Sequence, residues 1–376
     1  MNGRRISVII ASIAIVMMPF VVQAQLLSPD SSTTITDGSL AYDNEWIGWS
    51  GTGINFTQAG GSNSTNFLAV GDPYYGIMGY VSQKIVDGSS YGNDTFNLSN
   101  SSSTTGTLTS GTELIGNGGT GTFNQTGGNN TVSILNIGTV WNTLYLGVGT
   151  SAATSTFFIG NGTYNLSNGS LNVTGTETVG NGGTGTFNQT GGTNTTNSLY
   201  VSVVTPYQDQ LTGTYTYFSS PGAYNLSGGQ LNGGSEYIGY SGGTGVFTQS
   251  GGTNTVNGLY ISNRTGGNGT YNLSGGQLNA GNEYIGQSGG TGIFTQSGGT
   301  NTVSNNLFIG DESGGNGTYN LSGGQVNAGY EYIGFYGGMG TFTQSGGTNT
   351  VGVLYIGDDT GGQGTYNLSA GQLNAS

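Results

Sequence analysis

Six glutamates recur along a chain in which charged residues make up only 6%: Glu45, Glu113, Glu177, Glu236, Glu283 and Glu331. Each is followed 12 or 13 residues later by a glutamine, in turn Gln58, Gln125, Gln189, Gln249, Gln296 and Gln344. A carboxylate and an amide at fixed spacing suit acid–base chemistry, cation binding or mutual hydrogen bonding. Two acidic pairs, Asp311–Glu312 and Asp358–Asp359, have the residue types for glycoside hydrolysis or Ca²⁺ binding. They stand in equivalent turns and read more simply as solubilising edge charges. The chain has no Cys and no His, which excludes disulfides and imidazole or thiol catalysis. Its "GGNG" and "GGTG" tracts lack both the lysine and the following helix of a phosphate loop, and they lack the Asp spacing of calcium-binding repeats. A catalytic site occurs once, whereas these Glu and Gln recur six times, so the expectation is no enzyme, no cofactor and no metal.

The elements that position these residues follow from self-similarity. Phe247, Phe294 and Phe342 open near-identical segments, and Tyr224, Tyr271, Tyr319 and Tyr366 open a second, interleaved series. The unit is therefore about 23–24 residues, alternately a Tyr coil ("GTYNLSGGQLNAGNEYIGQSGG") and a Phe coil ("TGIFTQSGGTNTVSNNLFIGDESGG"). Each holds three short alternating runs bounded by glycine, such as "TYNL", "QLNA" and "EYIG", the pattern of strands joined by positive-φ corners. No unit can bury its own apolar face, so the units must stack. The expected fold is all-β, a right-handed parallel β-solenoid (β-helix) with three short strands per coil and about twelve coils in all. No proline occurs from Gly222 to Ser376, as uninterrupted ladders require.

Equivalent positions define rows along the stack. An aromatic opens the first strand of each coil, and Val or Ile recurs in the third. Two residues before that aliphatic, Glu in Tyr coils alternates with Leu in Phe coils. Two residues after the aromatic, Gln in Phe coils alternates with Leu in Tyr coils. The second strand repeats the trade, with Leu171, Leu231 and Leu278 against Asn194, Asn254 and Asn301. Period two places all these rows inward. A buried carboxylate needs donors. With almost no basic residues available, the expectation is a structural register in which Gln donates to Glu. A corner Glu reaching solvent and a cation-binding Glu are the alternatives.

Outward residues of the third strand form an aromatic row, Tyr237, Tyr260, Tyr284, Phe308, Tyr332 and Tyr355. It is either a binding surface or a cross-strand ladder that stabilises the sheet. Three insertions, about 72–93, 139–161 and 203–221, interrupt the early coils where a Phe coil passes into a Tyr coil. They are expected side by side at one corner. The third carries Tyr207, Tyr215 and Tyr217, candidates for a binding surface.

Residues 1–24 read as a signal peptide: Arg4 and Arg5, the apolar run "ISVIIASIAIVMMPFVV", and Val22 and Ala24 at the cleavage positions. Residues 25–39 read as a lead-in or cap, 40–221 as irregular coils with insertions, and 222–376 as regular coils, expected to be truncated at the C-terminus. No later segment is apolar enough to span a membrane. After cleavage, only Lys84 and Arg264 stand against 17 acidic residues. That balance excludes nucleic acid as a partner. The motifs "GTYNLSGGQLNAGNEYIG" and "SGGTNTV" resemble the repeat tracts of secreted bacterial β-solenoid proteins, the autotransporter-passenger-like and PEP-CTERM-sorted exoproteins. The resemblance implies a secreted, cell-surface or matrix protein that is structural or adhesive. Surface glycans, host or matrix proteins, or further copies of the chain are its expected partners. A polysaccharide-binding or polysaccharide-cleaving β-helix enzyme and a self-assembling fibre subunit are the alternatives.

Overall fold

The structure is a computed structural model. It describes residues 33–36, 39–47, 55–70, 93–102, 104–145, 154–209, 212–218 and 220–376. The signal-peptide segment and the first insertion lie outside these. The chain forms a parallel β-solenoid of about 11 turns. Every turn places one short strand in a 13-stranded sheet and one long strand in a second sheet. Gln277–Gln287, for example, follows Asn268–Leu273. Each strand pairs in parallel with its equivalent one turn away, and the path skips the other sheet's strand between. No helix long and apolar enough to cross a membrane occurs among the described residues.

The second and third runs of the repeat are not separated by a gap. They are one strand with a change of phase inside it. In Gln277–Gln287, Leu278 and Ala280 face inward, Gly281 and Asn282 both face outward, and Glu283 and Ile285 face inward again. The pairing of this strand with Thr300–Asp311 breaks register between Ala280 and Glu283. Backbone hydrogen bonding carries across the corner, so the three runs legible in the sequence become two strands.

Glycine is the usual residue at the exit of the long strand, where φ is positive. Gly286 has φ +71°, and a Cβ there would stand 2.0 Å from the carbonyl oxygen of Asn316. Ser202 and Ser262 occupy the same position with φ 71° and 61°. Ser262 is fully buried and anchors itself by donating its Oγ to the Gly267 carbonyl at 2.6 Å.

The core is a set of stacked rows. Rings from Phe56 to Tyr366 form one continuous ladder inside the short-strand sheet. Phe294, for instance, stacks on Tyr271 at 4.9 Å and on Tyr319 at 4.6 Å. Ile238, Ile261, Ile285, Ile309 and Ile333 form the facing row, all without solvent exposure. Register resolves an ambiguity in the second insertion: Ile137 of "LNIG", not "LYLG", pairs with Ile115 and Val179.

Candidate functional site: a polar spine in the core

Register places the glutamates as their alternation implies. Leu259 pairs with Glu283, which pairs with Leu307, which pairs with Glu331. Glu113, Glu177, Glu236, Glu283 and Glu331 are buried with no exposed surface, as are Gln58, Gln125, Gln189, Gln249, Gln296 and Gln344. Glu45 pairs with Leu68 in the same row, and its side chain lies outside the described part. A glutamate reaching solvent at a corner is thereby overturned for the five described.

The direct Glu–Gln pair is corrected. The carboxylate's donor is an asparagine of the next turn: Asn301 Nδ2 donates to Glu283 Oε2 at 3.0 Å. Asn301 Nδ2 also lies 3.3 Å from the Tyr319 hydroxyl, one turn further on. Tyr319 donates that hydroxyl's proton to Gln296 Oε1 at 2.5 Å. Gln296 Nε2 donates to the backbone carbonyls of Gln325 at 2.9 Å and Gly299 at 3.3 Å. Glu and Gln therefore belong to one network, joined through Asn and Tyr, that spans three successive turns.

The same four-residue network recurs along the solenoid. Glu113, Asn130, Tyr164 and Gln125 form one copy. Glu177, Asn194, Tyr224 and Gln189 form the next, followed by Glu236, Asn254, Tyr271 and Gln249. Glu331, Asn349, Tyr366 and Gln344 form the last. Tyr164, Tyr224, Tyr271 and Tyr319 each lie in the turn that supplies the next glutamate, so the copies run on as a polar spine. Asparagine and tyrosine were missed as partners, although their signal was in the sequence. Tyr and Phe alternate in phase with Leu and Gln, and Tyr differs from Phe only by the hydroxyl that the network uses.

The first turns show the rule by an exception. Gln58 Nε2 donates to the Thr107 carbonyl at 2.8 Å, but the ring one turn on is Phe96. Gln58 Oε1 is buried with no hydrogen-bond partner. Variation at a second position tunes the glutamate. Ser110 donates its Oγ to Glu113 Oε1 at 2.7 Å. Gly233, Ala280 and Ala328 occupy the position three residues before Glu236, Glu283 and Glu331, and the Oε1 atom of each of those glutamates lacks a partner.

Burial dominates the electrostatics. It pushes Glu113, Glu236 and Glu331 up to about 7, and Glu177 and Glu283 up to about 8, against the lowering effect of the asparagine bond. The next glutamate along the spine raises Glu177 and Glu283 further. These carboxyls are groups that hold a proton near neutral pH inside a sealed core. That arrangement joins successive turns through carboxyls that have no exposed surface.

The remaining candidates lie outside the spine. Tyr200, Tyr237, Tyr260, Tyr284, Phe308, Tyr332 and Tyr355 stack face to face at 4.8–5.0 Å. Ring faces are occupied by neighbouring rings, which leaves edges and hydroxyls outward. In the third insertion, Thr205–Gln208 and Tyr215–Phe218 form an antiparallel hairpin. Tyr207 donates its hydroxyl to the Asn181 carbonyl at 3.2 Å, whereas Tyr215 and Tyr217 are 58% and 69% exposed. Phe157 of the second insertion packs on Phe218 at 5.1 Å, so these two insertions do emerge together.

Asp311 is not a solvated edge charge. It is buried, accepts from Gln287 Nε2 at 2.9 Å, and is pushed up to about 6 by that burial. Glu312 and Asp359 are exposed and stand at positive-φ turn positions. Arg264 occupies an equivalent turn, with its guanidinium 5.4 Å from the centre of the Tyr240 ring. No cluster of three or more metal-ligating acidic side chains occurs among the described residues.

Fold and site together define a parallel β-solenoid with a buried, repeating Glu–Asn–Tyr–Gln spine. Comparison with protein-family models, with curated proteins and with solved structures finds no match.

Proposed function

We propose that this chain is a non-enzymatic extracellular or cell-surface structural protein, a rigid solenoid that carries adhesive contacts on its flank. The observation that carries this reading is where the chemistry-bearing side chains lie. Every described copy of the repeated carboxyl is sealed in the core, where it joins three turns. Among the described residues, the projecting aromatics include Tyr215 and Tyr217 of the hairpin, Tyr330 and Tyr336, and the edges of the outer ring row. A rigid repeat body with loops on one edge is the usual arrangement of a binding scaffold. The apolar N-terminal leader and the resemblance to secreted autotransporter-passenger-like and PEP-CTERM-sorted repeat tracts support export to the outer surface.

A glycan array and matrix-protein binding, run beside a polysaccharide-cleavage screen on the mature chain, test this reading. Binding without cleavage, lost on Tyr215→Ser with Tyr217→Ser, is the expected result. Cleavage lost on Asp311→Asn or Asp358→Asn would establish the enzyme instead. Filaments in electron microscopy, with no glycan or protein bound, would favour the fibre subunit.

A further inference from the structure

The outward face of the short-strand sheet takes no part in the spine, the outer ring row or the hairpin. In the twelve strands from Asn55–Ala59 onward, the residue after each buried ring is Asn or Thr without exception. The residue before each ring is Thr in eight of the twelve. Neither row holds a charged residue or an aromatic, in a chain whose net charge is -13. The exceptions among the Thr positions include Val246 and Ile293, which keep the β-branched methyl and are exposed.

This face is regular. Pairing between equivalent strands runs without a register break, as from Asn268–Leu273 through Thr291–Gln296 to Asn316–Leu321. The buried rings beneath the face follow the same repeat, stacked from Phe123 to Tyr366 with interplanar angles of 3–8°. Five of the eight asparagines in the row are joined in a chain of amide hydrogen bonds. Asn124 donates to Asn97 at 2.9 Å, Asn165 to Asn124 at 2.8 Å, Asn188 to Asn165 at 2.8 Å and Asn225 to Asn188 at 2.9 Å. The result is an in-register grid of hydroxyl, methyl and amide groups, repeating about every 4.8 Å across strands and about every 6.6 Å along them.

We propose that this face binds an ordered water lattice, the surface of ice. Its repeat across strands lies close to the shorter oxygen repeat on the prism faces of hexagonal ice, and its repeat along strands is about a tenth shorter than the longer one. Threonine offers a hydroxyl that enters a water network and a methyl that sits in its hollows. A charge would impose its own hydration shell on that network, and the two rows flanking the rings hold none. The absence of outward rings from these rows argues against a sugar polymer, which is gripped by stacking on aromatic faces. A backbone already in register and threonines restricted at χ1 by β-branching lower the cost of immobilising the grid on binding.

Partition of the mature chain into a slowly growing ice front, together with thermal hysteresis, tests the proposal. Three variants are compared with the wild type: Thr270→Lys with Thr318→Lys on the grid, Asn257→Lys with Asn305→Lys on the other sheet, and the milder Thr270→Ser with Thr318→Ser. All are checked for an unchanged unfolding midpoint. The wild type and the Asn257/Asn305 variant are expected to enter the ice and depress its growth temperature. The lysine grid variant is expected to lose both activities and the serine variant to lose part. Exclusion of the wild type from ice overturns the proposal, as does equal behaviour of the two lysine variants. If the lysine grid variant fails to fold, an undiminished serine variant overturns it. Sedimentation with microcrystalline cellulose or chitin that depends on Thr270 and Thr318, without entry into ice, would assign the face to a crystalline polysaccharide instead.

Discussion

At the scale of the residue, the spine turns on single hydroxyl and amide groups. Phe96→Tyr places a hydroxyl where Tyr164, Tyr224 and Tyr271 carry theirs, opposite the unpartnered Gln58 Oε1. It is expected to raise stability by roughly 0.5–1.5 kcal/mol, the net worth of one satisfied hydrogen bond, read as a shift in the denaturant midpoint. Asn301→Leu tests the opposite direction. Leucine is native to the alternate turns of that row, so its size fits, but it removes the donor to both Glu283 and Tyr319. A loss of about 1–3 kcal/mol is expected. A double-mutant cycle with Glu283→Leu should recover part of it, because an apolar pair leaves no carboxylate unsatisfied.

At the scale of the element, the corner at the end of each long strand decides how closely turns pack. Gly286→Ala forces a Cβ toward the Asn316 carbonyl two turns on and holds a non-glycine residue at φ +71°. The substitution is expected to destabilise by more than about 1 kcal/mol, with faster hydrogen exchange in Gln277–Gln287 and Asn316–Leu321 than in distant turns. Much of this level was legible from residues. The Glu, Gln, Asn and Leu rows, the inward aliphatics and the short aromatic strands all follow from period-two alternation and the repeat length. The fusion of the second and third runs was not legible. A phase slip at Gly281–Asn282 and a chain break give the same alternation in sequence, and only the hydrogen-bonded neighbour distinguishes them.

For the whole molecule, the spine sets a pH dependence. The five described glutamates are raised in the folded state to about 7 or about 8 from an ordinary 4.5. Between those values the folded chain binds more protons than the unfolded one, so stability falls as pH rises. The solenoid is expected to be most stable below about pH 4.5 as far as these groups decide, and to lose that contribution progressively up to about pH 8. Repulsion among the exposed acids acts in the same direction. Unfolding midpoints measured from pH 4 to pH 9 check this. Glu283→Gln, which keeps an oxygen acceptor for Asn301 but cannot ionise, should flatten the profile.

The sequence alone determined the class of fold, because no unit of this length buries its apolar face without a neighbour, and the phase of each row states which residues must meet. It also determined that the repeated glutamates are structural in pattern, since six equivalent positions cannot be one active site. Tertiary structure decided the partners. Glu283 and Gln296 share a network but do not touch, because the stacking offset brings Asn301 and Tyr319 between them. It also decided that the short strands stack in unbroken register while the long strand Gln277–Gln287 slips in phase, because register is fixed by the hydrogen-bonded neighbour one turn away and no stretch of sequence carries that neighbour by itself.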